Sequence, residues 1–384
     1  MKRIILKRSK SDLISRKHHW IFSGAIHKKD PEVKNMDLVH VVDSHDQFLC
    51  KGLYHDASIA VRILSFSEDD DIHAVDFWKD KILKAFNCRS LLGLPSDLTN
   101  IFRLVHGEGD MLPGLVIDVY DKTAVIQLHY PGISPFVGLI KQSINSLPLE
   151  IDQIIIKSTF DKKIEDSLSK EEKIIALENG IQFEIDPIKG QKTGFFIDQR
   201  ENRYLVGQFS KGKRVLNLFA YNGGFSLYAL KNGATQVCSV DISEKAIQSL
   251  DRNIVVNQLS NDKHESIVAD VMEYIQTEQM DQDVIIVDPP AFAKHKSKRH
   301  NAIQAYKRLN AKVFSKAKSG ALVFTFSCSQ VITKDIFRNT IYSAALQSGR
   351  SIKIVKELNQ AYDHPVNIYH PETDYLKGLL LVIQ

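Results

Sequence analysis

The sequence predicts an α/β protein: an open, mostly parallel sheet in the C-terminal half, preceded by a small β-barrel and a middle α+β region. Three patterns carry this expectation. From residue 199 onward, short apolar strands alternate regularly with helical patterns. Several of those strands are nearly all apolar, as strands covered by helices on both faces must be. Residues 1–70 instead hold short strand-like runs divided by polar turns, the spacing of a small β-barrel or a compact half-open sheet.

The elements follow in order. Arg3–Lys7, Leu38–Asp43, Gln47–Tyr54 and Ser58–Leu64 read as strands, and the acidic stretch Glu68–Asp71 closes that unit. His73–Asn87 carries apolar residues at helical spacing. Strands follow at Ile101–His106, Leu115–Val119, Ala124–Tyr130 and Gln153–Lys157, with a helix between Pro135 and Leu147. Glu178-Asn179-Gly180 supplies a hairpin turn joining Ile174–Leu177 to Ile181–Ile185, because Asn-Gly accepts positive φ. The alternating region holds seven strands: Arg214–Phe219, Gln236–Asp241, Ser266–Ala269, Val284–Asp288, Ala321–Ser327, Ile352–Leu358 and Gly378–Ile383. The expected domains are 1–70, 71–190 and 191–384.

Composition bounds the function. A chain of 384 residues has room for two or three domains. With 43% apolar and 25% charged residues it reads as globular, neither disordered nor collagen-like. No apolar run approaches the roughly 18 residues that span a bilayer. The basic N-terminus lacks the apolar core of a signal peptide. Four cysteines (Cys50, Cys88, Cys238, Cys328) show no CxxC or CxxH spacing, so neither a zinc site nor a disulfide framework is expected, and a reducing cytoplasm is the simplest setting. The net charge is only +4, but its distribution is uneven. Residues 1–20 carry seven Lys/Arg against one Asp, and residues 291–320 carry nine with no acid. Such patches suit an anionic polymer, although a basic solvated face has the same composition.

Ligands of open α/β sheets bind outside the carboxyl ends of the strands, so the chemistry is sought there. The first strand of the alternating region breaks at Ala220-Tyr221-Asn222-Gly223-Gly224 before a helix from Phe225. Glycines at such a turn let backbone approach a ligand. The dinucleotide fingerprint G-x-G-x-x-G is absent, which counts against a nicotinamide enzyme. The second strand ends at Asp241, 24 residues after Asn217. An acid there can accept both ribose hydroxyls, or simply cap the helix that follows Ser243. The third strand ends at Asp270 and the fourth at Asp288, so three acids line one edge. Pro289-Pro290 stiffens the turn after Asp288, a rigid polar edge for a planar amino-bearing group. Cys328 follows the fifth strand within Ser327-Cys328-Ser329, beside Asp288 in a doubly wound order. A small buried role suffices for Cys50, Cys88 and Cys238. For Cys328 the basic 291–320 segment is expected to help lower the thiol pKa. Upstream, in Gln191–Arg200, Phe195 and Phe196 fit core positions and Asp198 a helix N-cap.

Together these residues resemble the class I S-adenosylmethionine-dependent methyltransferases. Within them the chain is similar to the large-subunit (23S) ribosomal RNA 5-methylcytosine methyltransferase family. The ordered carriers are Thr193-Gly194-Phe195-Phe196-Ile197-Asp198-Gln199-Arg200, Asn217-Leu218-Phe219-Ala220, Asp288-Pro289-Pro290-Ala291-Phe292, Ser327-Cys328-Ser329, His364-Pro365 and Tyr375-Leu376-Lys377-Gly378. The resemblance implies a PUA-type RNA-binding barrel over 1–70, carried by Trp20–Ile26 and Val61–Leu64. It also implies a middle α+β domain and a C-terminal Rossmann-like seven-stranded methyltransferase domain. It places S-adenosylmethionine against Asn217, Tyr221, Gly223, Asp241 (ribose), Asp270 and Val271 (adenine) and Asp288. Asp288 would also hold the target base, and Cys328 would be the nucleophile. Lys294, Lys296, Lys298 and Arg299 are expected to meet RNA, with Arg200 and Arg203. The implied partner is large-subunit ribosomal RNA, with no membrane; a homodimer is a family-level expectation. Two rivals stand beside this reading. One is a methyltransferase of an exocyclic amine, such as N2 of guanine, which needs no thiol. The other is an RNA-binding protein with an inactive methyltransferase fold.

Overall fold

A computed structural model describes residues 2–10, 12–161, 164–165, 173–293 and 295–384. The chain forms two compact units. The first comprises Met1–Ala176, Ile185–Ile197 and Tyr362–Thr373, and the second Leu177–Glu184, Asp198–Ala361 and Asp374–Gln384. No described helix is long and apolar enough to cross a membrane.

The first unit opens with six strands: β1 (Arg3–Leu6), β2 (Trp20–Phe22), β3 (Ile26–Lys29), β4 (Leu38–Val42), β5 (Phe48–Tyr54) and β6 (Ile59–Ser65). A short helix α1 (Asp12–Ser15) follows β1. They form one sheet in the order β2-β6-β5-β4-β1-β3, antiparallel except for the β1–β4 pair. Alternating residues such as Ile4, Leu6, Val39, Val41, Val61 and Ile63 bury one face. Strands β2 and β3 were not expected. They are three and four residues long, and β3 (Ile-His-Lys-Lys) is mostly exposed, too short and polar for a period-two signal.

Helix α2 (Val75–Leu91) leads to a second sheet of β7 (Ile101–His106), β8 (Leu115–Tyr120), β9 (Thr123–Leu128), β10 (Gln153–Ser158) and β11 (Ile164–Glu165), in the order β11-β10-β9-β8-β7. Helix α3 (Val137–Asn145) packs against α2, and Leu53 and Leu64 of the first sheet share the core beneath them. Two charge pairs are buried here. Arg103 donates to both carboxylate oxygens of Asp118 at 2.7 and 2.8 Å, and Arg89 to both of Asp110 at 2.5 and 2.7 Å. Asp118 also accepts from the Thr193 hydroxyl at 2.5 Å, so the motif from Thr193 to Ile197 is anchored in this unit.

Strands β12 (Ile174–Glu178) and β13 (Ile181–Ile185) form the expected hairpin, with φ of 51° at Asn179 and 73° at Gly180. The second unit then alternates: α4 (Arg200–Ser210), β14 (Arg214–Leu218), α5 (Gly224–Lys231), β15 (Gln236–Asp241), α6 (Glu244–Val256), β16 (His264–Val268), α7 (Val271–Thr277), β17 (Val284–Val287), α8 (Arg299–Lys316), β18 (Leu322–Ser327), α9 (Lys334–Ser348), β19 (Ile352–Leu358) and β20 (Lys377–Ile383). The sheet order is β16-β15-β14-β17-β18-β20-β19, parallel except for β20, which runs antiparallel to both neighbours. Two apolar clusters belong to this sheet and its helices, as its nearly all-apolar strands require. The order reverses direction at β14, the topological switch point where such sheets bind ligands. Register puts the carboxyl ends of β14, β15, β16, β17 and β18 along one edge.

Candidate active site at the carboxyl edge of the sheet

The turn after β14 is wound tightly. Phe219, Tyr221 and Gly223 have φ of 63°, 49° and 83°. A Cβ on Gly223 would lie 2.5 Å from Leu250 Cγ, so only glycine fits. Asp241 fastens this turn from the neighbouring strand: its Oδ2 accepts from Tyr221 N at 2.9 Å and its Oδ1 from Ser243 N at 2.8 Å. The cap of α6 is Ser243 itself. Asp270 caps α7, accepting from Met272 N at 2.8 Å and Glu273 N at 3.1 Å, and Val271 beside it is buried.

Asn217 sits on a buried polar chain. Its Nδ2 donates to Ser226 Oγ at 2.8 Å, Ser226 meets Ser239 Oγ at 2.7 Å, and Ser239 meets His264 Nε2 at 2.9 Å. Burial pulls the His264 pKa down to about 4, so the chain ends on a neutral ring at pH 7. This network sets the amide orientation and leaves Asn217 Oδ1 buried with no partner among the described residues. A buried acceptor without a donor calls for one from a ligand.

At the next two strand ends, Asp288 and Cys328 are both half-buried. Asp288 Oδ2 accepts from Gln199 Nε2 at 3.1 Å, and Gln199 is held in turn by Asn202 Nδ2 at 2.6 Å. Ser329 Oγ donates to Ala293 O at 2.7 Å, tying the Cys328 segment to the turn that follows Asp288. Burial pushes the Tyr306 hydroxyl pKa up, and the charges of Cys328 and Asp288 add to it. Lys377 pairs across the sheet with Ser327. Its Nζ donates to Ser329 O at 2.7 Å and Tyr375 O at 2.6 Å. Burial lowers its pKa to about 8, opposed by the charge of Cys328. Lys377 is thus one cation whose charge interacts with that of Cys328. Gln199 and Lys377 escaped assignment from sequence. Both stand inside motifs with a recognisable pattern, but their roles depend on pairings 89 and 48 residues apart.

Among the residues expected to meet RNA, Lys296, Lys298 and Arg299 are exposed at the start of α8, whose first turn holds no acid. Lys294 lies outside the described residues. Arg200 and Arg203 need correction. Both are buried, and Arg203 donates to Glu178 Oε1 and Oε2 at 2.7 and 2.6 Å, with Arg200 Nε 3.6 Å from the same carboxylate. They hold the β12–β13 turn rather than offer charge to a polymer. Asp198 is likewise no helix cap; its Oδ2 accepts from the Tyr375 hydroxyl at 2.6 Å, and α4 has no side-chain cap. Cys50 and Cys238 are buried, and burial raises both thiols, Cys238 to about 11.

Two families match this chain: S-adenosylmethionine-dependent methyltransferase over residues 164–380 and PUA-like domain over residues 4–66. The ribosomal RNA large subunit methyltransferase I of Alteromonas mediterranea is 35% identical over 98% of both chains, and that of Shewanella denitrificans is also 35% identical over 98% of both. The chain belongs to the ribosomal RNA large subunit methyltransferase I family. A crystal structure of a proposed methyltransferase complexed with SAH shares its fold, with a TM-score of 0.88, 21% identity and 100% of each chain covered. The cofactor of this family member is S-adenosylmethionine. The residues present fit it: the orphaned Asn217 Oδ1 suits the ammonium of its methionine part, and the strained, glycine-containing turn admits a close backbone approach.

Proposed function

We propose that this chain forms 5-methylcytosine in large-subunit ribosomal RNA through a covalent bond from Cys328 to C6 of the target cytosine. The observation that carries this reading is the half-buried Cys328, with the buried Lys377 beside it and Asp288 at the adjoining strand end. A methyltransferase of exocyclic amines needs neither the thiol nor its cation.

The residues divide the work as follows. The Lys377 ammonium favours the Cys328 thiolate, which adds to C6 and makes C5 electron-rich. When bound, S-adenosylmethionine supplies the electrophilic methyl that C5 takes up. Loss of the C5 proton and departure of the thiolate restore the aromatic ring. Asp288, oriented by Gln199, holds the N3/N4 edge of the base while the thiol is attached. Asn217, Tyr221 and Gly223 meet the methionine part, Asp241 the ribose, and Asp270 with Val271 the adenine. The base must leave its stack to reach this edge. Lys296, Lys298, Arg299 and Lys294 meet phosphates of unpaired RNA.

In this reading residues 1–70 dock RNA, 71–190 connect, and 191–384 carry the transfer. The setting is the cytoplasm, and a homodimer is the assembly to test by sedimentation. The experiment is methyl transfer from labelled S-adenosylmethionine to unmodified ribosomal RNA, followed by nucleoside analysis. Label in 5-methylcytosine supports the proposal; label in a methylated purine overturns it.

A further inference from the structure

We propose that His18, His370 and Glu372 form a binding site for a transition-metal dication of the zinc class. These three residues lie in the first unit and take no part in the methyl transfer described above.

The geometry is close to a ligand set. Glu372 Oε2 lies 3.1 Å from His18 Nε2 and 3.8 Å from His370 Nε2. Metal–nitrogen and metal–oxygen bonds of about 2.0–2.1 Å at tetrahedral angles put ligand atoms about 3.4 Å apart. The two observed edges bracket that value. The imidazoles stand face to face, with centroids 4.2 Å apart and planes inclined by 29°. Trp20 presents its carbonyl at 3.3 Å and its N–H at 3.2 Å to His18 Nδ1. While Nδ1 accepts from Trp20 N, the ring proton sits on Nε2 towards Glu372; metal binding at Nε2 moves that proton to Nδ1, which then donates to the Trp20 carbonyl in the manner that orients metal-binding histidines.

His370 supplies the second, independent observation. Its side chain is buried, yet neither ring nitrogen has a hydrogen-bond partner among the described residues. A proton shared between His18 and Glu372 would satisfy that pair and leave His370 unsatisfied. A metal ion satisfies all three residues. Trp20, whose ring meets His370 edge-on at 4.4 Å and whose Nε1 donates to Glu108 at 2.7 Å, holds the imidazole in place. His18 and Glu372 are partly exposed, so water can reach the ion and complete its shell. Two imidazoles and one carboxylate favour zinc, cobalt or nickel over the oxygen-seeking magnesium and calcium. Bound there, the ion would clip the segment Tyr362–Thr373 to the start of β2.

The test uses the full chain, stripped with a chelator and titrated with Co²⁺ by visible absorption and with Zn²⁺ by calorimetry. The proposal predicts one saturable equivalent with ligand-field bands that Zn²⁺ abolishes. Glu372→Gln and His18→Asn should weaken binding at least tenfold, and His370→Phe should remove the bands. Glu372 is partly exposed, so its variant should fold. Absence of saturable binding in the wild type, or an unchanged affinity in Glu372→Gln, would overturn the site. Methyl transfer is assayed separately and should stay at the wild-type level in Glu372→Gln.

Discussion

Lys377 and Cys328 illustrate how two ordinary side chains acquire a function from their surroundings. Burial brings the lysine pKa to about 8, so the ammonium is charged at pH 7 and loses its proton as the pH rises through that value. A neighbouring cation stabilises the thiolate and lowers its pKa. Replacing Lys377 by Met removes that help. The acid limb of the kcat/KM profile for methyl transfer should then move up by roughly one pH unit, since one unit corresponds to about 1.4 kcal/mol between protonation states. The pH dependence of Cys328 alkylation by iodoacetamide should move with it. Profiles that overlay the wild type would deny Lys377 this role. Cys328→Ala should bind S-adenosylmethionine as the wild type does and yet turn over no RNA, which calorimetry and labelled transfer check together. The candidacy of Cys328 was legible because a polar Ser-Cys-Ser stands directly after an apolar strand. Lys377 was not, because its approach depends on β20 running antiparallel beside β18. A run of apolar residues such as Gly378–Ile383 carries no signal of direction.

The β14–α5 turn and the β12–β13 hairpin show the same contrast among elements. Gly223 was legible as part of a ligand turn, and its φ of 83° explains the requirement. Gly223→Ala adds a Cβ against Leu250 in a conformation that L residues avoid. It should cost about 1–3 kcal/mol of stability. It should also weaken cofactor binding, as read by urea unfolding and calorimetry. Wild-type values for both would remove the close-approach argument. The hairpin turn at Asn179-Gly180 was equally plain, but its second task was hidden. Glu178 carries the buried carboxylate that takes Arg203 and faces Arg200. Glu178→Gln leaves buried guanidinium charge without its anion and should destabilise by about 3–5 kcal/mol, measured by the same unfolding curves. A loss below about 1 kcal/mol would mean that the pair is not confined as described. Strands β17, β18 and β20 were readable because each is a bounded, largely apolar and buried run. Strands β2 and β3 were not, because three or four residues do not complete a period.

Across the whole molecule, a net charge of +4 conceals a segment with nine cations and no acid. Lys296, Lys298 and Arg299 crowd the start of α8, where the helix dipole disfavours cations. In the proposed reading these cations meet RNA phosphates. Replacing the three by Ala should lower the slope of log affinity for RNA against log salt by up to about 2–3, at about 0.7–0.9 for each phosphate no longer neutralised. Cofactor affinity should not change. An unaltered slope would return the patch to an ordinary solvated face. The small N-terminal sheet and the alternating sheet were both foreseen from periodicity; the former is a six-stranded sheet with β2 and β3 at its ends. The division of Thr193–Arg200 between two compact units was not, since no local pattern tells which core a connector joins.

The central claim is the covalent bond from Cys328, and an RNA carrying 5-fluorocytidine tests it most directly. Fluorine at C5 cannot leave as a proton does, so the enzyme should be caught after methyl transfer with its sulfur still on C6. With S-adenosylmethionine present, the account predicts a denaturation-stable RNA–protein adduct that maps to the peptide containing Cys328 and is missing in Cys328→Ala. Methylated cytosine formed from ordinary RNA with no such adduct from the fluorinated RNA, or an adduct on another cysteine, would contradict it.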